Sequence, residues 1–268
     1  MIPDISVVTL SYNQADYLPA AIESVLGQQG ATFEYFLCDP GSTDNSRELI
    51  AGFSDPRITA VFEADSGPPD GLNKCFARAR GRIFCYVNAD DMFLPGAFAR
   101  MVEFFQEQPV IDVACGHALV IDKRGKVLRR VWSEPFAPSA VASGAHVQIQ
   151  PATFIRSEAY HRSGGFDAGN NSNWDGGLLA ALYTSGARIE VVDEFLGCYR
   201  LHPESITMSG RLAERHRTFA QENFKRLIGR SPTPLDSLAG AGLRIAKHLR
   251  HPARTWERLL KGPLFRSS

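Results

Sequence analysis

Apolar residues in the first third of the chain fall into short unbroken runs separated by polar clusters and amphipathic stretches. Residues 4–10 (DISVVTL), 33–38 (FEYFLC), 57–62 (RITAVF) and 82–87 have the length and β-branched or aromatic character of buried strands. Between them, residues 19–28 place Ala21 with Val25 and Ile22 with Leu26 on one helical face. Residues 47–53, 71–80 and 94–108 also read as helices. Strand and helix therefore alternate four times, which predicts βαβ units and a mostly parallel, Rossmann-like sheet flanked by helices. In open sheets of this kind ligands bind outside the carboxyl ends of the strands. Polar groups gather at those ends: Ser11-Tyr12-Asn13, Asp39, Asp65 and Asp90-Asp91.

Farther along the pattern is mixed. "VACGHALVID" and "GKVLRRVW" predict a hairpin around Lys123-Arg124-Gly125. A helix is expected from Leu178, and "IEVVDEFLGCYRLH" reads as a strand pair. Residues 211–230 and 236–262 predict exposed helices, the second interrupted near Pro252.

The 268 residues are 44% hydrophobic, enough for one large domain or a domain with an appendage. Formal net charge is zero but unevenly spread. From residue 240 onward there are seven Lys/Arg and one acid, which leaves a tail of +6 on a body of −6. Leu243, Ala246, Leu249, Trp256, Leu259 and Leu260 sit among those basic residues, so residues 240–268 are expected to touch an anionic membrane surface. The five cysteines form no CxxC pair and mostly lie in apolar runs, so they read as reduced core residues of a cytoplasmic protein. No signal-peptide pattern and no membrane-length apolar run is seen.

The glycine cradles for dinucleotides and nucleoside triphosphates are absent, as are a G-x-S-x-G elbow and zinc spacings. Basic residues in the body are not interleaved with aromatics, which argues against nucleic-acid binding. The carboxylates remain, and they suit a hard cation such as Mg²⁺ or Mn²⁺.

The ordered fragments "SVVTLSYNQADYLPAAIESVLGQ", "CDPGSTDNSRELI", "EADSGPPDGLNKCFARARGRIFCYVNADDMFLPGAF", "QPATFIRSEAYHRSGGFD" and "YRLHPESIT" resemble family 2 glycosyltransferases over roughly residues 4–207. The resemblance implies the α/β GT-A fold and inverting transfer of a sugar from a nucleotide-diphosphate donor, UDP-linked, to a glycan or lipid-linked acceptor in cell-surface polysaccharide synthesis. It implies a domain over 1–207, with a nucleotide-sugar half (1–110) and an acceptor and catalytic half (111–207), followed by a basic helical extension (208–268). It also implies location in the cytoplasm or at the inner membrane face. Nucleotidyl transfer and non-catalytic nucleotide-sugar binding are the alternatives.

By the same resemblance, Asp39 accepts a hydrogen bond from the base, with a helix-capping role as its competitor. Thr9, Tyr12, Asp70 and Asp90 are the other donor-binding residues. Asp90, Asp91 and His202 are the metal set, and Asn88 stands where many members carry a first acid. Aligned without gaps after Gly164-Gly165-Phe166-Asp167, the catalytic base falls on Asp175 and a second acid falls on Gly177, a departure. A gapped alignment would instead put Asn173 at the base.

Overall fold

A computed structural model describes residues 2–202, 213–250 and 252–262. The expected helix start at Arg211, the last basic residue Arg266 and residues 203–207 of the resemblance lie outside them. The leading strands are β1 (Ile5–Leu10), β2 (Phe33–Cys38), β3 (Ile58–Val61) and β4 (Ile83–Asn88). They alternate with α1 (Leu18–Leu26), α2 (Ser46–Gly52) and α3 (Pro68–Phe76). All three strand pairs in this half are parallel, in the order β3-β2-β1-β4.

The strands carry residues of both faces into two cores, which is why they read as continuous apolar runs. Ile5, Val7, Tyr35, Leu37, Cys85 and Val87 pack on one side. Val8, Phe36, Phe84 and Tyr86 pack on the other, against Leu72 and Phe76 of α3. The expected alternation thus holds, with helix ends shifted by a few residues.

Beyond β4 the sheet turns mixed. It continues through β5 (Met92–Phe93), α4 (Ala97–Glu107), β6 (Val113–Ile121), β7 (Val127–Val131), α5 (Pro138–Ala142), β8 (Thr153–Arg156), α6 (Ser157–Ser163) and α7 (Trp174–Thr184). β8 pairs antiparallel with both β4 and β6, and β6 and β7 form the predicted hairpin. The expected strand pair near residue 195 is instead one twelve-residue strand, β9 (Ile189–Arg200). It runs parallel to β6 and pairs antiparallel with β5 through Gly197 and Cys198. Its polar centre, Asp193-Glu194, reads as a turn in sequence but is an exposed crossing between partners. Gly197 is required there, since a Cβ would lie 2.4 Å from the Pro151 carbonyl oxygen.

The cysteine expectation needs correction. Cys38, the last residue of β2, and Cys75 of α3 are disulfide-bonded, because helix α3 packs on the sheet face that Cys38 joins. Cys85, Cys115 and Cys198 are free and buried, as expected.

The chain continues with α8 (Ala213–Ile228), α9 (Pro234–Arg250) and α10 (Pro252–Lys261), the predicted interruption falling before Pro252. No helix of the described residues is long and apolar enough to cross a membrane.

Candidate active site at the carboxyl ends of the parallel strands

Strand order reverses between β1 and β4. Leu10 pairs in register with both Cys38 and Asn88, so the chain leaves all three strands at one level. Ser11, Asp39 and Ala89 begin that layer, at the crevice where open sheets take ligands.

β4 ends on Asn88, and the turn after it presents two acids in different settings. The Asp90 carboxylate lies 2.9 Å from Nε2 of His202. His202 is buried, and its ring lies against Tyr17 with centroids 4.6 Å apart. Asp91 is turned inward. One oxygen accepts the Arg200 backbone N–H at 2.8 Å and the other faces the Asn88 amide at 3.4 Å. Burial, and then the neighbouring Asp90 charge, push the Asp91 carboxyl well above the ordinary range. Asp91 therefore ties the turn to β9, while Asp90 faces the imidazole. The two acids, expected to share metal and ribose duties, thus stand in different settings.

Arg200 holds this arrangement together. Its guanidinium is buried and donates to the carbonyls of Asp90, Asp122 and Lys123, at 2.7, 3.0 and 3.2 Å. It also lies over the Tyr17 ring, 5.2 Å from the centroid. A buried cation paired only with carbonyl dipoles is costly unless acids stand close. Asp91, whose carboxyl feels the Arg200 charge, stands close. Gln150 fixes the other side, donating to the Tyr86 carbonyl and accepting from the Asn88 amide at 3.1 Å.

The donor set fits a hard divalent cation in part. One carboxylate oxygen and one imidazole nitrogen stand 2.9 Å apart. Adjacent ligands on an octahedral ion with bonds of about 2.1 Å are spaced by about 3 Å. Among the described residues no cluster of three His, Cys, Asp or Glu completes such a shell. Further ligands would have to come from a bound anion or water.

Asp175 lies in the first turn of α7, which starts four residues before the expected Leu178, and there the helix dipole favours a carboxylate. Tyr86, two residues before Asn88 on the same side of β4, donates its hydroxyl to Asp175 Oδ1. Burial raises the Asp175 carboxyl to about 6, opposed by that hydrogen bond. Where the second acid was expected, a Cβ on Gly177 would meet the Asn170 amide nitrogen at 2.7 Å, so a side chain there requires that amide to shift. Asn173, the base of the gapped alignment, is the N-cap residue of α7.

The remaining expected residues divide. Thr9 is fully buried and its hydroxyl pairs with Tyr35 at 2.8 Å, so it supports β1 from inside and does not face the crevice. Tyr12, 61% exposed, stands at the rim. Asp39 is also fully buried. Its oxygens accept from the Gly41 and Ser42 amides at 3.0 and 2.7 Å and from the Ser42 hydroxyl at 2.5 Å. The carboxylate thus shapes the 39–44 loop and is fully buried, and it does not cap α2, whose N-cap residue is Asn45. Asn13, in a left-handed conformation at φ 53°, laces that loop to its own through Ser42 and Thr43.

Asp70 pairs with Lys74 at 2.9 Å and accepts from the Ser66 amide at 2.9 Å. The Lys74 hydrogen bond leads in holding its carboxyl below the usual range. The 65–70 loop meets the 167–173 loop where Asn171 donates to the Ser66 carbonyl at 3.2 Å. Gly67, at φ 135°, leaves the room that Asn171 fills.

Arg200, Gln150, Tyr86 and Tyr17 were not singled out from the sequence. Only Arg200 had a local cue, standing two residues before His202 at the end of an alternating strand.

Residues 6–164 match the family described as "Glycosyl transferase family 2". An uncharacterized glycosyltransferase of Nostoc sp. is 30% identical over 220 residues, 78% of this chain and 68% of that protein. The succinoglycan biosynthesis protein ExoO of Rhizobium meliloti is 36% identical over 103 residues, 38% of this chain and only 30% of its own length. Staphylococcus aureus TarS 1–349, solved with UDP-GlcNAc, superposes with a TM-score of 0.66 at 16% identity, covering 97% of this chain and 76% of that one. The Pyrobaculum calidifontis mannosyltransferase PcManGT, solved with GDP-Man and Mn²⁺, gives 0.65 at 16% identity over 97% and 74%. These two likenesses show the fold, which is that of the GT-A glycosyltransferases.

Proposed function

The chain belongs to glycosyl transferase family 2, and we propose that it moves a sugar from a nucleoside-diphosphate donor, UDP-linked, to a hydroxyl of a glycan or lipid-linked acceptor, with inversion, in cell-surface polysaccharide synthesis. The observation that carries this reading is the Asp90–His202 pair at the carboxyl end of β4, beside the strand-order reversal. TarS with UDP-GlcNAc and PcManGT with GDP-Man support a nucleotide-sugar donor, and ExoO supports the polysaccharide context.

Asp90 and His202 would hold a divalent ion, Mn²⁺ or Mg²⁺. When bound, it would offset the charge of the diphosphate leaving group. Arg200 and Asp91 keep Asp90 in place by fixing the turn to β9. The Tyr12 rim and the 39–44 loop, shaped by Asp39, receive the base, and Asp70 borders the donor from α3. Asp175 takes the proton from the acceptor hydroxyl, as inverting transfer requires. A carboxyl near 6 is mostly ionised at neutral pH and basic enough for that task. Residues 1–110 form the donor half, 111–207 the acceptor half, and 208–268 an extension.

Incubating the full chain with UDP-sugars and GDP-sugars and following nucleoside diphosphate release tests the reading. Release from one donor is expected to rise at least about tenfold with Mn²⁺. No release from any donor would leave a non-catalytic binder, and pyrophosphate release would identify a nucleotidyltransferase.

A further inference from the structure

Helices α9 and α10 dock on the body by one face and leave another uncovered. Gly240 of α9 lies against Ser143, just after α5, where a Cβ would approach the Ser143 Cβ to 2.8 Å. One turn later Arg244 donates to the Ser143 carbonyl at 3.2 Å. Leu235, Leu238 and Ile245 stand about 140–160° around the helix from Gly240 at 100° per residue. They are 65–74% exposed, and Ala239, Ala241 and Gly242 between them are exposed too.

α10 repeats the arrangement. Glu257 takes Arg130 of β7 at 3.3 Å, and Lys261 reaches the Leu128 carbonyl at 2.8 Å. One position back from each, Trp256 and Leu260 are 65% and 81% exposed. A docked helix would ordinarily bury its largest apolar residues. Here Gly240, Arg244, Glu257 and Lys261 meet the body, and Leu235, Leu238, Ile245, Trp256 and Leu260 face outward.

We propose that this outward face of α9 and α10 is a docking surface for an anionic lipid bilayer. Large apolar side chains on helices rich in Lys and Arg are the composition that lies in the headgroup boundary, and a tryptophan suits that layer. The charge distribution selects the occupant. Residues 234–261, which span the two helices, carry six Lys/Arg and two acids, a net +4, so two copies of this segment repel each other, whereas an anionic surface attracts it. The proposal does not depend on the identity of the donor or on the transfer reaction.

Sedimentation of the full chain with phosphatidylcholine vesicles, with or without about one-third phosphatidylglycerol, tests it. Binding is expected with phosphatidylglycerol, weakened by salt, and negligible without it. The triple variant Leu238→Glu, Ile245→Glu, Trp256→Glu is expected to partition at least about tenfold less, through lost apolar burial and added negative charge. Its melting temperature and nucleoside diphosphate release in solution stay at the wild-type level. Equal partitioning of variant and wild type would overturn the proposal, as would indifference of the wild type to phosphatidylglycerol. A concentration-dependent dimer in gel filtration, abolished by the triple variant, would make a second copy the occupant and would also overturn it.

Discussion

Asp175→Asn is expected to lower turnover by about 10²–10⁴-fold, the range for removal of a general base, while donor affinity stays near wild type. The substitution keeps shape and leaves an oxygen to accept from the Tyr86 hydroxyl, so the first turn of α7 survives. What disappears is the lone pair that takes the acceptor proton. The pH profile supplies a second signature. Burial raises the wild-type carboxyl to about 6, so the rate climbs as pH rises through that value and levels off above it. The residual rate of the variant lacks that rise.

Stability moves the other way. An Asp titrates near ~3.9 in the unfolded chain, so between that value and about 6 the folded state holds more protons. Stability from this group is present at low pH and lost as pH rises through the window. At neutral pH the amide avoids the buried charge, so the variant melts at or above the wild-type temperature. Loss of turnover without loss of stability separates a base from a structural residue. Near-normal turnover would remove Asp175 from the mechanism.

Asp90→Ala carries the second large effect. Turnover is expected to fall at least about 10²-fold, and the remainder to lose its response to Mn²⁺. His202→Ala is expected to follow in the same direction with a smaller loss. Asp91→Ala should behave differently, because its carboxylate is buried on the Arg200 N–H. That variant leaves a buried donor unpaired and costs about 1–3 kcal/mol in stability, read as a lower melting temperature. Kinetics and melting of the three variants, with and without Mn²⁺, check the division. Full Mn²⁺-dependent turnover in Asp90→Ala would contradict it.

The parallel half of the fold was legible because β1, β2 and β4 bury both faces and therefore read as unbroken apolar runs ending in polar residues. The acids at those ends were legible for the same reason. Their division of labour was not. Asp91 is committed by Arg200, 109 positions away in sequence, and Asn88 by Gln150, 62 positions away. No local pattern carries such pairings. Asp39 was judged by its position at a strand end, but its exposure depends on how the next five residues fold back over it. Cys38 and Cys75 meet only because α3 packs on the β2 face, which spacing alone does not specify. The departure at Gly177 sits against the Asn170 amide, seven positions away, which no motif comparison reveals.

The central claim is that the crevice at β1 and β4 binds a nucleotide-sugar through a metal held at Asp90. Thermal-shift titration of the full chain against UDP-sugars and GDP-sugars, with Mn²⁺ or with a chelator, tests it most directly. The prediction is a rise in melting temperature for one donor class that requires Mn²⁺ and is absent in Asp90→Ala. A shift of equal size in the chelator, or in Asp90→Ala with Mn²⁺ present, would contradict it.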